Sequence, residues 1–289
     1  YHYSVKDGWG NDPNGTIYFG GKYHLFYQYY DKEAWGPMHW MHATSEDLIH
    51  WEEDTIQFYP DEYGAMYSGC AVTADHSTAP DIFKEGESGI VFLITADGGS
   101  EGQKIIGAYS KDGKTFHKYK DGKVLLHWKD DSLQNKAFRD PKVFRYENQW
   151  FMVVAGGPLR IYSSKDLVNW KEESAYADLN TECPELYPLA VYDESGEKTG
   201  EHKWVLNRGG RKYKIGDFKE VNGKWTFVPD EQYESTNANG MGNEDNDGIM
   251  NFGPDSYAAM TYYVSDFGTE DNMKLPDLVA INWMNTWES

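Results

Sequence analysis

Apolar residues along the chain fall in short runs broken by Gly, Asp, Asn and Pro. The runs are YHLFYQYY (23–30), GIVFLITA (89–96), KIIGAYS (104–110), WFMVVAGG (150–157), KWVLNRGG (203–210), SYAAMTYYV (256–264) and LVAINWMN (278–285). Each has the length and β-branched or aromatic content of a strand, and sustained helical periodicity is scarce. The pattern predicts an all-β protein.

A weak repeat organises these strands. ATSEDLIHW (43–51), AYSKDGKTF (108–116) and YSSKDLVNW (162–170) share one plan: a strand ends in Ser, an Asp two residues later makes a turn, and an aromatic opens the next strand. A looser copy is YKIGDFKEVNGKWTF (213–227). Copies roughly 50 to 65 residues apart predict four-stranded antiparallel blades in radial array, which a β-sandwich would not produce. Blade starts near Asp12, Ser68, Arg139, Glu182 and Asn251 predict a five-bladed β-propeller around a central channel, a single domain over 1–289.

Composition narrows the partners. Net charge is −20, from 47 acidic and 27 basic residues, which disfavours nucleic acid and anionic membranes and suits a neutral ligand. No apolar run reaches the length of a membrane span, and no leader segment is expected ahead of Tyr1, which leaves the compartment open because a mature or trimmed chain would lack one. Two cysteines, Cys70 and Cys183, make neither a disulfide framework nor a four-ligand zinc site.

In a propeller the first strand of each blade lines the channel, and three of the predicted entrances carry acids. They are NDPNG with Asp12, FRDPKVF with Asp140, and ECPELYPL with Glu182 and Glu185. Each has a proline one or two residues after the acid, which predicts extended backbone at Asp12 and Asp140. Side-chain alternation predicts that only one of Glu182 and Glu185 faces the channel. Any one motif alone is an ordinary turn, but three acids at one channel mouth are not. Glycoside hydrolysis uses such a set: one carboxylate attacks the anomeric carbon, a second, kept protonated by its neighbours, donates to the leaving oxygen, and a third holds sugar hydroxyls.

These motifs resemble those of glycoside hydrolase family 32, which contains invertases, inulinases and levanases. YHLFYQ, WGPMHWMHATSEDLIHW, YSG and INWMN extend the likeness over essentially the whole chain. The resemblance implies a five-bladed catalytic propeller, with the family's C-terminal β-sandwich absent from this sequence. It implies a retaining hydrolase of β-fructofuranosidic bonds in levan, inulin or sucrose, exported to the cell surface or beyond, with no cofactor or metal. Asp12 would be the nucleophile, Glu182 the acid and base, and Asp140 the hydroxyl-binding stabiliser. Retention would place the Asp12 and Glu182 carboxyls about 5 to 5.5 Å apart. Asn11, Gln28, Trp35, Tyr67, Ser68, Arg139 and Trp283 would surround the terminal fructose. The sequence departs from the family pattern at Gly10, Asn251 and Ser256; the small Gly10 would widen the pocket rim.

The same residues leave rival functions open, a fructosyltransferase or a non-catalytic carbohydrate-binding propeller. Other signals are weaker. NEDNDGIM (243–250) is expected to be an acidic surface loop rather than a calcium site, with Asn243 and Pro254 at the ligand ends. His39, His42 and His50 lack a completing ligand. The sequon at Asn14 lies inside the proposed site, and Cys183 is expected to be a small buried support for Glu182.

Overall fold

A computed structural model describes residues 3–231, 247–250, 255–264 and 266–284. The first blade is β1 (Trp9–Phe19), β2 (Lys22–Tyr30), β3 (His39–Ser45) and β4 (Trp51–Phe58), antiparallel in chain order. The second is β5 (Ala65–Asp75), β6 (Ser88–Asp97), β7 (Gln103–Ser110) and β8 (His117–Lys118), with β9 (Val124–His127) also on β7. The third is β10 (Arg139–Tyr146), β11 (Gln149–Ala155), β12 (Gly157–Ser164) and β13 (Trp170–Thr181). The fourth is β14 (Glu185–Tyr192), β15 (Lys198–Arg208), β16 (Lys212–Val221) and β17 (Lys224–Pro229), with β18 (Gly248–Ile249) paired to β16.

Among the described residues the fifth position holds only two paired strands, β19 (Ser256–Thr261) and β22 (Ala280–Met284); between them β20 (Gly268–Thr269) and β21 (Asn272–Met273) form a separate hairpin. The all-β propeller is therefore as expected, with four complete blades rather than five. The expected start at Asn251 lies outside the described residues. No helix among the described residues is long and apolar enough to cross a membrane.

Each blade buries apolar side chains against the next. One cluster joins blades one and two through Phe26, Trp40, Phe58 and Phe92. A second joins blades two and three through Leu93, Val143, Trp150 and Met152, and a third joins blades three and four through Phe144, Phe151, Trp204 and Phe218. Strands covered on both faces, such as β6, are apolar without alternation, which explains the continuous runs in the sequence.

The repeat is a turn between the third and fourth strands of a blade. Ser45, Ser110 and Ser164 accept through Oγ from the backbone N–H three residues on. Asp47, Asp112 and Asp166 accept from the N–H groups two and three residues further. Ser and Asp thus satisfy donors that a tight turn strips from the ladder. The copy at 213–227 works differently. Asp217 lies within β16, and Asn222–Gly223, both at positive φ, make a two-residue hairpin between Val221 and Lys224.

Polar contacts between inner strands close the ring. Gly69 N–H donates to Asn14 Oδ1 at 3.1 Å, Lys142 Nζ meets Glu185 Oε1 at 2.6 Å, Thr261 N–H donates to Glu185 Oε1 at 2.9 Å, and Thr16 Oγ1 donates to the Thr261 carbonyl at 2.7 Å. Asn14 is fully buried, so its side chain is a strut between blades with no room for a glycan.

Candidate active site

Inner strands of separate blades deliver the acids to one end of the channel. A pocket of about 440 Å³ there is lined by Asn11, Asp12, Gln28, Trp35, Tyr67, Arg139, Asp140, Glu182 and Trp283, all expected from sequence, and by Trp9, Gln103 and Tyr257, which were not. Ser68 is buried behind Asp12 rather than at the pocket surface.

Three donors orient the Asp12 carboxylate. Asn11 Nδ2 donates to Oδ1 at 3.0 Å, Ser68 Oγ to Oδ2 at 3.0 Å, and Gln28 Nε2 to Oδ2 at 3.3 Å. Trp9 Nε1 in turn donates to Asn11 Oδ1 at 2.9 Å. The outer amides therefore leave Asp12 little rotational freedom.

Asp140 departs from the extended geometry expected before proline. Its φ is +59°, at a bulge between Arg139 and Lys142. Asp is one of the few residues that tolerate this region, and Thr95 Oγ1 accepts its N–H at 3.0 Å. The turn aims the buried carboxylate at Cys183, whose N–H donates to Oδ2 at 2.9 Å. Burial, with the Asp12 and Glu182 charges adding to it, pushes Asp140 up to about 6 against the opposing pull of Arg139 and the Cys183 N–H.

Glu182 sits in the turn before β14, so strand alternation does not relate it to Glu185. Its carboxylate lies in the pocket wall, whereas Glu185 is buried deeper in the channel on Lys142 and Thr261. Arg139 donates to Glu182 Oε1 at 2.6 Å and Tyr257 Oη to Oε2 at 2.8 Å. Burial would raise this carboxyl, but Arg139 and Tyr257 outweigh it and hold it below the usual range. The expectation of a Glu182 kept protonated by its neighbours fails in the free protein, because its nearest neighbour is a cation.

Cys183 touches both aspartates, with Sγ 3.7 Å from an oxygen of each. Burial and the surrounding carboxylates push its thiol well up, so it is a neutral spacer rather than a nucleophile. Gly10 does not widen the rim. A Cβ there would lie 2.6 Å from Val5 Cγ1, so Val5 already fills that space.

The remaining candidates lie apart from the pocket. His42 bridges His24 and Asp54 at 3.0 Å each, and His50 pairs with Asp47 on the surface. Asn243 to Asn246 and Pro254 lie outside the described residues, but Asp247 is not on the surface as expected. Its buried carboxylate pairs with Arg208 at 2.5 Å and Lys214 at 2.6 Å. Tyr257 and Gln103 escaped notice because neither sits in an acidic motif; each reaches the pocket only through blade packing.

The fold and pocket define a β-propeller with a carboxylate-rich, aromatic-walled cavity at one mouth of its channel. The chain belongs to glycoside hydrolase family 32: residues 2–289 match the model of the "Glycosyl hydrolases family 32 N-terminal domain". It is 57% identical over 289 residues to a fructan β-fructosidase of Streptococcus mutans, matching 100% of this chain and 19% of that protein. It is 35% identical to a levanase of Bacillus subtilis, over 100% of this chain and 41% of that one. Among solved structures, an exo-inulinase from Aspergillus awamori aligns at TM-score 0.79 and 30% identity, over 100% of this chain and 59% of that chain. The chain thus spans between a fifth and three fifths of the length of these relatives.

Proposed function

We propose that the chain is the catalytic propeller of a retaining glycoside hydrolase that cleaves β-fructofuranosidic bonds in fructans or sucrose. The observation that carries this reading is the meeting of Asp12, Asp140 and Glu182 from three blades in one cavity. The names of relatives support the substrate class, since they include fructan β-fructosidase, levanase and invertase.

Asp12, oriented by Asn11, Ser68 and Gln28, attacks the anomeric carbon and forms a covalent fructosyl-enzyme. Glu182 gives a proton to the leaving oxygen and then takes one from the incoming water. The free protein holds Glu182 in its base form through Arg139. Loading a proton for the first step therefore needs that contact to loosen when sugar enters. Asp140 and Arg139 grip ring hydroxyls beside the reacting carbon, where a negative carboxylate stabilises oxocarbenium character. Trp9, Trp35 and Trp283 give the ring apolar walls. Relatives named extracellular exo-inulinase favour an exported protein.

The test is a time course of sugar release from levan, inulin and sucrose by the purified chain, with D12N as control. Fructose release that D12N abolishes is the expected result. Binding of fructan without release by the wild type would overturn the reading in favour of a lectin-like propeller. Oligosaccharides longer than the substrate would point to transfer instead of hydrolysis.

A further inference from the structure

Two aromatic rings stand out from the pocket side of blade one. Trp35, 55% exposed, lines the pocket mouth, and Tyr59, 57% exposed, follows the end of β4 at the outer rim. A line of further rings connects them. Trp35 meets Tyr67 edge-on, with centroids 6.0 Å apart. Its loop lies on Tyr30, for a Cβ at Gly36 would fall 2.2 Å from that ring. Tyr30 stacks on His39 at 6.3 Å, and His39 meets Tyr59 at 5.3 Å in a T-shaped contact.

Topology puts this line on the entrance face. Tyr30 ends β2, His39 starts β3, Tyr59 follows β4, and Tyr67 lies near the start of β5, beside Ser68 and Asp12. Three strand spacings separate β1 from β4, about 14 Å in all. That reach suits a short run of sugar residues leaving the pocket.

Single exposed aromatics are normal on protein surfaces. Tyr18 and Tyr192 are about as exposed, but Tyr18 lies at the opposite end of β1 and Tyr192 packs under Lys198. Tyr59 differs because His39, itself stacked on Tyr30, holds it in line with the pocket. A ring ordered in advance binds with little further loss of side-chain freedom. Beside this ring Lys118 pairs with Asp61 and donates to the Tyr59 carbonyl, which fixes the backbone that carries it.

We propose that Tyr59 is the outer station of a binding track for a neutral polysaccharide that starts at the pocket wall formed by Trp35, and that the part of a fructan chain outside the pocket rests on it. This rests on the function proposed above. It adds that the protein is built for polymers rather than for a disaccharide alone.

The test compares Y59A with wild type on long inulin and on sucrose. Loss of one platform should raise KM for the polymer about 5-fold while kcat/KM for sucrose, the internal control, holds. Y59W should restore the polymer KM. An unchanged polymer KM in Y59A would overturn the track. A second arm measures inulin binding by D12N and D12N/Y59A without turnover. Weaker binding by the double variant supports the track even if wild type cleaves nothing, and equal binding refutes it. Failure of the catalytic reading and failure of the track are therefore read separately.

Discussion

Arg139 reaches from blade three to donate to Glu182 Oε1 at 2.6 Å, while its Nε lies 3.8 Å from Asp140 Oδ2. One guanidinium thereby links two carboxyl groups displaced in opposite directions, Asp140 upward by its burial and Glu182 downward by the guanidinium itself and Tyr257. Gln103 Oε1 at 3.2 Å and the Gly156 carbonyl at 3.0 Å fix its other arm.

Replacing Arg139 by Gln should move the pH profile as well as lower the rate. Without the cation, burial dominates at Glu182 and its pKa rises. The alkaline limb of kcat/KM, which reports loss of the acid's proton in the free enzyme, should then shift to higher pH. kcat/KM at the optimum should fall about 100-fold. An unmoved alkaline limb in the pH dependence of kcat/KM would show that this ion pair does not set the acid.

Asp140 carries a stability signature of opposite sign. Its folded-state value, about 6, lies above the ordinary 3.8, so the folded chain holds this proton more tightly than the unfolded one. That contribution is complete below 3.8 and is lost as pH rises to about 6, leaving a buried-charge penalty on the order of 3 kcal/mol above it. D140N keeps a side chain that tolerates positive φ and removes the penalty. Denaturant unfolding should find D140N gaining stability relative to wild type between pH 4 and 7, although inactive. Parallel stability curves across that range would refute the shift.

The Ser–Asp turns make a prediction remote from chemistry. Ser164 is buried, accepts from the Asp166 and Leu167 N–H groups and donates to Asp166. S164A should lower stability by about 1 to 2 kcal/mol; S45A and S110A, at the same place in their blades, should do likewise. None should change KM. Thermal melts and steady-state kinetics on the three variants check both halves.

Below the pocket, Lys142 and Glu185 form a buried pair at 2.6 Å. K142M strands the Glu185 carboxylate and should cost about 3 to 5 kcal/mol, much of it recovered in K142M/E185Q. Denaturant melts of both variants decide whether the channel below the pocket depends on this pair.

The architecture was legible because blade packing leaves a local trace. Strands sandwiched between blades are continuously apolar, and each Ser–Asp turn needs its own side chains. The acids were legible because each lies at the entrance of an inner strand, within two residues of a proline. What local rules missed depends on partners far along the chain. Proline predicted extended backbone at Asp140, but Thr95 and Cys183 hold it at φ +59°. Alternation was applied to Glu182, which precedes the strand. Tyr257 belongs to the site only because β19 lies beside β1 and β14.

Tyr257 and Trp283 are register partners across β19 and β22, which form a two-stranded sheet among the described residues. One supplies the hydroxyl on Glu182 and the other an aromatic wall of the cavity. The Thr16–Thr261 seam that joins the first inner strand to the last holds this same ladder in place. Slack at that seam would alter the proton affinity of Glu182 and the aperture of the cavity together, so the integrity of the circle and the shape of the pocket are a single mechanical property.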